Sequence, residues 1–311
     1  MEKYEYIPGK KCFSNGALIA LGLFDGVHKG HRYLLKEAKK LAEEAGLIFA
    51  VFTFRSFGAS QKSTSPIYST EDKLEILAEI GVEAVILADF EKVSGISAID
   101  FINLSLINDM NCRAAVCGED FRFGKGAFGD AKFLKRELEN SGRYALIVDE
   151  QKESGEKIST TRIKSLIANG NISEANRLLD APYFLRSSVS HGAGLGKTLG
   201  FPTLNTDIPE ERFKIKSGVY LSCLSIDRVL RPAITNIGTC PTFSERPLHA
   251  ETHVIDFDGD LYGQEIKISL LDFIRGERKF ESPEQLILQI RADEEKAKFD
   301  WRTKWQETGL N

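Results

Sequence analysis

Short continuous apolar runs alternate with longer amphipathic stretches through the first half of the chain. Leucine and alanine recur at helical spacing over 32–46, which predicts a helix ending at Gly46, and a second helix is predicted over 70–81 with Thr70 as its cap. Strands that alternate with helices predict an α/β domain, a doubly wound parallel sheet covered on both faces, with ligands at the carboxyl ends of the strands. The apolar runs predict five buried strands, at residues 17–22, 47–54, 82–90, 113–121 and 144–150.

The pattern changes after a predicted helical connector over 158–182. From residue 183 to 273, strand-like segments separated by glycine-rich turns predict a small antiparallel β-barrel. Residues 282–306 predict one long C-terminal helix that starts at Ser282, with Pro283 at its first position. The sequence therefore predicts two domains, residues 1–182 and residues 183–311.

Composition narrows the possible partners. The 311 residues are 42% hydrophobic, and 41 basic residues nearly balance 45 acidic ones, so the net charge is only −4. Without a basic run we expect no nucleic acid partner, whereas small phosphorylated ligands need only local charge. The five cysteines lack the CxxC spacing of zinc sites, and no apolar run approaches the roughly 20 residues that span a bilayer. We therefore expect a cytoplasmic protein with reduced thiols and no membrane partner; its oligomeric state has no sequence signal.

The stretch "GLFDGVHKGH", residues 22–31, joins the first predicted strand to the first predicted helix. As metal ligands, His28 and His31 lack further ligands nearby, because the other three histidines fall in the second predicted domain. As a plain turn, the stretch needs only its glycines. As a phosphate cradle, it combines the free N–H groups of a helix N-terminus with glycines that admit a ligand and imidazoles that can donate to one phosphate chain. The phosphate interpretation uses every feature of the stretch.

A second glycine-rich stretch, "HGAGLGKTLGFPTLN", occupies residues 191–205. Its "GLGKT" superficially matches a P-loop, but the P-loop spacing requires glycine where His191 stands. Pro202 also follows soon after, where a long helix would be needed. The residues alone leave a plain hairpin loop and a different kind of catalytic loop open.

The first half of the chain resembles the FMN adenylyltransferase branch of the nucleotidylyltransferase superfamily. "GLFDGVHKGH" resembles its HxGH signature, and "GEDFRFGKGAFGD" (118–130) and "ISTTRIK" (158–164) follow in the expected order. In adenylyl transfer the nucleophile is an already ionised phosphate, so catalysis rests on alignment and charge neutralisation rather than on a base. The resemblance implies that His28 and His31 are catalytic. It further implies ATP or phosphate contacts from Gly22, Phe24, Asp25, Gly26, Gly30, Ser159, Thr160, Thr161 and Lys164, and flavin contacts from Asp120, Phe121, Phe123 and Gly124.

Residues 183–300 resemble the riboflavin kinase barrel, through "GKTLGFPTLN", "GVY" (218–220), "NIGTCPTF" (236–243), "ETHVIDFDGDLYGQ" (251–264) and "RGERKF" (275–280). The resemblance implies that Thr203 and Asn205 hold Mg²⁺ and ATP phosphates. It also implies that Glu251 removes the proton from the riboflavin 5′-hydroxyl, a neutral alcohol that needs a base. On the residues alone, Glu251 is equally compatible with a solvated strand position. The remaining implied residues are Gly196, Lys197, Gly200 and Pro202 for ATP, and Arg275 and Glu277 for the flavin.

Together the two halves resemble the bacterial bifunctional riboflavin kinase/FMN adenylyltransferase family, also called FAD synthetases. The resemblance implies MgATP, riboflavin and FMN as substrates, and FMN and FAD as products. Three alternatives stay open: a riboflavin kinase with a degenerate adenylyltransferase domain, a non-catalytic flavin-binding regulator, and an adenylyltransferase for another phosphorylated substrate. The first is favoured by the "TFRSFG" loop, in which Arg55, Ser56, Phe57 and Gly58 stand in place of the family's DPHP. The same half also carries Ala127 and Lys164 where arginine is usual. The kinase half departs less, with Lys197 and Cys240 where arginine is common.

Overall fold

The computed structural model describes residues 1–55, 65–192, 195–238 and 248–308. The chain separates into two compact units, Met1–Thr160 and Thr161–Asn311. The helices of the predicted connector group with the second unit, and the domain boundary after residue 182 stays a prediction.

The first unit is built on a six-stranded sheet in which every neighbouring pair is parallel. Its strand order, β1-β4-β3-β2-β5-β8, reverses direction between β2 and β5, as expected of a doubly wound fold. The predicted parallel sheet is confirmed, and the reversal places the crevice for ligands outside the carboxyl ends of β2 and β5. The strands are β1 Glu2–Glu5, β2 Ala17–Leu21, β3 Ile48–Phe54, β4 Ala84–Ala88, β5 Cys112–Gly118 and β8 Tyr144–Val148.

Two short antiparallel strand pairs accompany this sheet. They are β6 Arg122–Phe123 with β7 Gly129–Asp130, and β9 Lys152–Glu153 with β10 Glu156–Lys157. The helices are α1 Lys29–Ala45, α2 Thr70–Ile80, α3 Phe90–Val93, α4 Ala98–Asp100 and α5 Ala131–Asn140, with a π-helical stretch over Phe101–Asp109 and a 3₁₀ turn over Lys125–Ala127.

Two helix starts differ from the sequence prediction. Helix α1 begins at Lys29, three residues earlier than predicted, because the His28 side chain caps it by accepting the His31 N–H. Helix α2 is capped by Ser69, whose hydroxyl accepts the Asp72 N–H at 3.0 Å, so the prediction of Thr70 as the cap is wrong. Both residues have extended backbone, which is what a cap position requires. The predicted stop at Gly46 is confirmed by its left-handed backbone, with φ 62°.

The second unit is a closed six-stranded barrel in which all neighbouring strands are antiparallel, so the predicted barrel is confirmed. Its interior holds a chain of buried hydroxyls: Ser222 bonds to Thr235 at 2.8 Å, and Thr235 bonds to Thr252 at 2.9 Å. Because each hydroxyl both donates and accepts, the three polar groups satisfy one another away from water. The strands are β11 Tyr183–Ser190, β12 Leu204–Asp207, β13 Gly218–Ile226, β14 Val229–Gly238, β15 His249–Val254 and β16 Glu265–Arg275, in the order β11-β12-β15-β14-β13-β16.

Helices precede, interrupt and follow the barrel strands along the chain. The predicted connector forms α6 Thr160–Asn169 and α7 Ile172–Leu179, a short α8 spans Leu195–Thr198, and α9 Pro283–Gln306 is the predicted C-terminal helix, capped by Ser282. The buried Asn176 ties α7 to the barrel, because its amide donates to the Leu270 carbonyl at 2.8 Å and accepts from the Tyr183 N–H at 2.7 Å.

Two candidate active sites

The turn after β2 has an uncommon backbone. Phe24, Gly26 and Val27 all take left-handed conformations, with φ of 51°, 79° and 42°. Two of these residues carry side chains that disfavour that region, yet both are fully buried and so are fixed by the packing around them. Gly22 makes room for the Phe24 ring, since a Cβ at residue 22 would lie 3.0 Å from it. The strained turn leads directly into the N-terminus of α1.

The two histidines of this turn form one stacked unit. The rings of His28 and His31 lie 3.7 Å apart between centroids and 15° from parallel, and the Phe24 ring contacts His31 edge-on at 5.2 Å. The His31 N–H donates to His28 Nδ1 at 3.4 Å. Gly30 is needed beside them, because a Cβ there would meet His28 Cε1 at 3.2 Å. His31 Nδ1 is buried and makes no hydrogen bond to any described residue, so a ligand is a candidate partner for it.

Burial sets the protonation state of both imidazoles. Desolvation lowers the pKa of His28 to about 4, although the Asp120 carboxylate opposes the shift. Desolvation, together with the neighbouring His28, lowers the pKa of His31 well below its usual value. At neutral pH the pair therefore offers neutral N–H donors and backbone dipole at a helix N-terminus, rather than two positive charges.

The structure brings part of the "ISTTRIK" stretch onto this turn. The Thr160 hydroxyl donates to the Asp25 carbonyl at 3.1 Å, and the Asp25 carboxylate accepts the Ile67 N–H at 2.8 Å. Ser159, next to Thr160, is partly exposed. Thr161 and Lys164 belong to the second unit, where Lys164 is buried with its ammonium 5.6 Å from the centre of the Phe213 ring.

The residues implied for the flavin take two different positions. Asp120 is exposed and pairs with Lys157, whose ammonium lies 2.8 Å from the Asp120 carboxylate and also contacts Glu150. Phe123 is buried and stacks on Phe121 at 5.5 Å. Gly124 has φ 73°, and a Cβ there would lie 2.7 Å from the Ala98 backbone. Asp120 is thus open to a ligand, whereas Phe123 and Gly124 pack inside the unit.

A buried lysine lies under the same turn. The Lys73 ammonium, on α2, donates to the Phe54 carbonyl at 2.7 Å, to the Thr53 hydroxyl at 3.2 Å and to the Leu23 carbonyl at 3.3 Å. Burial lowers the pKa of Lys73 to about 8, and the Asp25 carboxylate limits that shift. Lys73 therefore fastens the end of β3 to the start of the histidine turn, beside a small cavity that it lines with Asp25.

In the barrel unit, the glycine-rich loop closes onto the two residues implied for the metal. A Cβ at Gly192 would lie 2.3 Å from the Asn205 amide, and one at Gly196 would lie 3.2 Å from the Thr203 hydroxyl. The loop backbone therefore comes close to Asn205 at a position that only glycine fits, and it also lies near the Thr203 hydroxyl. Gly200 has φ 87°, and the Pro202 carbonyl bonds to the His253 ring at 2.9 Å.

Glu251 lies in a polar row on the barrel surface. On β15 it pairs in register with Asn205 of β12 on one side and with Asn236 of β14 on the other. Directly opposed residues of antiparallel strands share a face, so the carboxylate stands between two amides. The Glu251 side chain is 44% exposed, which leaves it accessible to a substrate.

The ends of β14 and β16 meet beside this row. A Cβ at Gly238 would lie 2.3 Å from a Glu277 carboxylate oxygen, so Glu277 occupies the space that the glycine leaves. The Arg275 guanidinium is held by Asp293 of α9, at 2.9 Å from Nε and 2.8 Å from Nη2, and its Nη1 donates to the Gly276 carbonyl at 3.2 Å. Glu277 is therefore exposed beside Gly238, whereas the Arg275 donors are engaged within the protein.

Comparisons with known proteins match each half of the chain to a family. Residues 10–162 match the FAD synthetase family model, and residues 179–299 match the riboflavin kinase family model. The chain is 35% identical to the bifunctional riboflavin kinase/FMN adenylyltransferase of Bacillus subtilis over 290 residues, covering 90% of this chain and 91% of the relative. It is 32% identical to the Escherichia coli K12 protein of the same name over 284 residues, covering 90% and 91%. The chain belongs to the bifunctional riboflavin kinase/FMN adenylyltransferase family.

A solved structure has the same fold over nearly the whole chain. The crystal structure of a macrolide-efflux protein from Streptococcus pneumoniae is 31% identical, has a TM-score of 0.88, and covers 96% of this chain and 99% of that one. Among the described residues of the present chain, no helix is long and apolar enough to cross a membrane.

Some departures from the family pattern have a structural account. The Arg55 guanidinium contacts Glu5 of β1 and lies 3.4 Å from Asp89, so it is bound at the sheet edge. Ala127 has a left-handed backbone with φ 56° in the 3₁₀ turn. Ser56, Phe57, Gly58 and Cys240, and the side chain of Lys197, lie outside the described part of the structure.

Sequence reasoning missed several residues that the fold brings to the two family sites. Lys73 carries no motif, and its burial on an otherwise amphipathic helix has no sequence signal. Asn236 and His249 become visible only through strand register, because each lies beside Glu251 in space. Gly192 could have been found, since a glycine before "GLGKT" already indicated close backbone approach.

Proposed function

We propose that this protein makes FAD from riboflavin in two ATP-dependent steps carried out by separate units. The barrel transfers the γ-phosphate of ATP to the 5′-hydroxyl of riboflavin, which yields FMN and ADP. The N-terminal unit transfers the adenylyl group of a second ATP to FMN, which yields FAD and pyrophosphate. The relatives named for both activities support this assignment along the chain's length. The proposal places both reactions in the cytoplasm, where ATP is supplied.

The observation that carries the kinase half is the row in which Glu251 lies between Asn205 and Asn236. A neutral alcohol must lose a proton as its oxygen attacks phosphorus, and an exposed carboxylate can take that proton. The two amides can orient the carboxylate and donate to substrate oxygens, since an amide has both donors and an acceptor. Glu251 is therefore proposed as the base for the 5′-hydroxyl.

Magnesium fits the oxygen atoms present in the barrel. Thr203 and Asn205 supply a hydroxyl and an amide oxygen, hard ligands of the kind that Mg²⁺ takes together with substrate phosphates and water. Within the described ranges no group of three His, Cys, Asp or Glu side chains is placed to hold a metal, so the ion would depend on the nucleotide for further ligands. When bound, Mg²⁺ would neutralise the phosphate charge that develops during transfer.

The stacked pair His28 and His31 supports the adenylyltransferase half. The neutral imidazoles and the N–H groups at the start of α1 can donate to the ATP phosphates, and the buried Nδ1 of His31 makes no hydrogen bond within the described part of the chain. The FMN phosphate is already ionised, so the site needs no base. Its proposed contribution is alignment of two nucleotides and stabilisation of the pyrophosphate leaving group.

A test incubates the purified full-length protein with riboflavin, ATP and Mg²⁺ and separates FMN from FAD by chromatography. Glu251→Gln is expected to lose FMN formation while it still converts added FMN to FAD. His28→Ala is expected to lose FAD formation while it still makes FMN. Each variant thereby controls for folding of the other unit. Unchanged FMN formation by Glu251→Gln, or unchanged FAD formation by His28→Ala, contradicts the corresponding half of the proposal.

A second candidate is a riboflavin kinase whose N-terminal unit no longer turns over. This candidate is favoured by Arg55, a cation at the position where the family pattern DPHP has aspartate. Its guanidinium is bound by Glu5 and Asp89. FMN accumulation without FAD, from wild-type protein supplied with excess ATP, is the result that would select this candidate.

A further inference from the structure

Two residues before Glu251 on β15, a histidine faces the same side of the strand. His249 Nε2 lies 3.5 Å from Glu251 Oε1, and the His249 side chain is 21% exposed. Residues i and i+2 of a strand point to the same face, roughly 6.6 Å apart along the backbone, so these two side chains must lean toward one another to meet. The imidazole thus contacts one oxygen of the proposed base, Oε1.

The described neighbours of His249 on and beside the adjoining strands include two carboxylates. Asp207 of β12 lies opposite it in the sheet, and Gly238 of β14 lies opposite on the other side, with the Glu277 carboxylate over that glycine. Ionised carboxylates accept hydrogen bonds and cannot donate them. Asp207, Glu251 and Glu277 therefore supply acceptors near His249, and the imidazole N–H can donate to one of them. Acidic groups facing one another repel unless a donor or a cation lies between them.

We infer that His249 is a positioning residue for Glu251, an inference that rests on the proposed function of the barrel. The imidazole N–H donates to Oε1 of Glu251 and fixes the carboxylate plane, so that Oε2 faces the riboflavin 5′-hydroxyl. During the reaction the hydroxyl proton passes to Oε2 of Glu251, the alcohol oxygen bonds to the γ-phosphorus, and the bond from phosphorus to the ADP oxygen breaks. His249 contacts the base and not the substrate.

The 3.5 Å separation suits a group that acts when substrate arrives. Hydrogen bonds of a base are often long in the absence of substrate and shorten in the reacting complex. Glu251 is held laterally by strand register between two amides, but its carboxylate has its own torsional freedom at 44% exposure. A hydrogen-bond donor on one oxygen restricts the rotation of this carboxylate. Loss of this donor should lower the rate of the chemical step and leave substrate binding in place.

The experiment compares His249→Ala and His249→Gln with wild type in riboflavin phosphorylation, with kcat and KM measured separately. We expect His249→Ala to lower kcat about 10-fold, which corresponds to about 1.4 kcal/mol, and to keep the KM for riboflavin and for ATP within twofold. We expect His249→Gln to recover most of kcat, because its amide N–H can reach the same oxygen. Unchanged kcat in His249→Ala overturns the inference, as does an equal loss in the Ala and Gln variants.

Asp207→Asn is the matched control, since it changes the carboxylate opposite His249 without touching Glu251, and we expect its kcat to stay near that of wild type. An unchanged melting temperature and an unchanged KM for riboflavin report that the barrel of each variant is folded. A double variant separates this inference from the proposed function. If Glu251→Gln leaves only a small residual rate, and His249→Ala slows wild type but does not lower that residual rate further, then His249 acts through Glu251. If Glu251→Gln keeps full activity, the proposed base is wrong, whatever His249 does.

Discussion

His28 and His31 stack at the N-terminus of α1 with ring centroids 3.7 Å apart, and burial keeps both imidazoles neutral at pH 7. A neutral stacked pair can donate hydrogen bonds to phosphates, and it has no positive charge that would attract other anions. It also makes the fold of the N-terminal unit sensitive to acid.

We expect acid to destabilise the N-terminal unit through His28. Folded His28 binds its proton only near pH 4, whereas the unfolded residue binds it near 6.5. The contribution of neutral His28 to the free energy of unfolding is therefore fully present above pH 6.5 and is lost as the pH drops toward 4. The full pKa shift corresponds to roughly 3 kcal/mol. Urea unfolding at pH 7 and pH 4.5 measures the loss. His28→Asn keeps a capping side chain but has no imidazole to protonate. Its loss in the free energy of unfolding between pH 7 and pH 4.5 should be smaller than that of wild type by about 2 to 3 kcal/mol. An equal loss in the two proteins would contradict the assignment.

Replacement of Lys73 should affect one activity only. Lys73→Met removes the ammonium that joins Leu23, Thr53 and Phe54 and leaves their oxygens without that donor. We expect FAD formation from FMN to fall at least about 10-fold, which corresponds to about 1.4 kcal/mol, while FMN formation in the barrel is unchanged. Lys132→Met, at an exposed position of α5, is the control. Equal loss of both activities would indicate general unfolding instead.

A methyl group at Gly192 should disable the barrel site. The added Cβ would lie 2.3 Å from the Asn205 amide, so that side chain must move away from its position beside Glu251. We expect Gly192→Ala to lower kcat for riboflavin phosphorylation about 10-fold or more, a barrier change of about 1.4 kcal/mol, with little change in melting temperature. Gly95→Ala, where a Cβ meets open space, is the matched control and should match wild type. Wild-type turnover by Gly192→Ala would show that Asn205 has no part in the reaction.

The pair Arg275 and Asp293 should contribute stability and only indirectly support flavin binding. Asp293 is 4% exposed and receives both Arg275 and the Gln289 amide, so Asp293→Asn leaves a largely buried guanidinium poorly paired. We expect a loss of about 3 kcal/mol in the free energy of unfolding. The double change Arg275→Met with Asp293→Leu should restore stability. Riboflavin phosphorylation by the double variant is then measured. Wild-type turnover would show that Arg275 acts through packing, whereas lost turnover in a stable protein would show that Arg275 contacts the flavin, as the sequence resemblance implies.

Long apolar runs made most of the fold predictable. Segments such as 17–22 and 47–54 are buried on both faces of a parallel sheet, so their hydrophobicity is continuous and easily detected. Strand β1 went undetected because Glu2, Lys3 and Glu5 make an edge strand resemble a charged tail. The short β12 was hidden for a similar reason, since its sequence belongs to a motif and has no apolar run of its own.

The candidate sites were predictable as motifs and not as arrangements. The sequence located His28 and Glu251, but the strained backbone at Phe24 and the early start of α1 depend on packing that no local pattern encodes. The pairing of Glu251 with Asn236 depends on the register between two strands, which the sequence does not express. Lys73 lies in the same category, because its burial is decided by the elements that surround it.

The charged strand β1 also protects the protein from self-association. It covers β4, whose sequence "AVILA" is fully buried, and places Glu2, Lys3 and Glu5 along the outer edge of the sheet. An exposed apolar edge strand is a template for pairing with another chain, and charges at an edge discourage such pairing. Removal of the first six residues would leave β4 as the new edge and would also remove Tyr6, whose hydroxyl bonds to Ser105 at 2.6 Å. We therefore expect a version without residues 1–6 to aggregate more readily than the full chain.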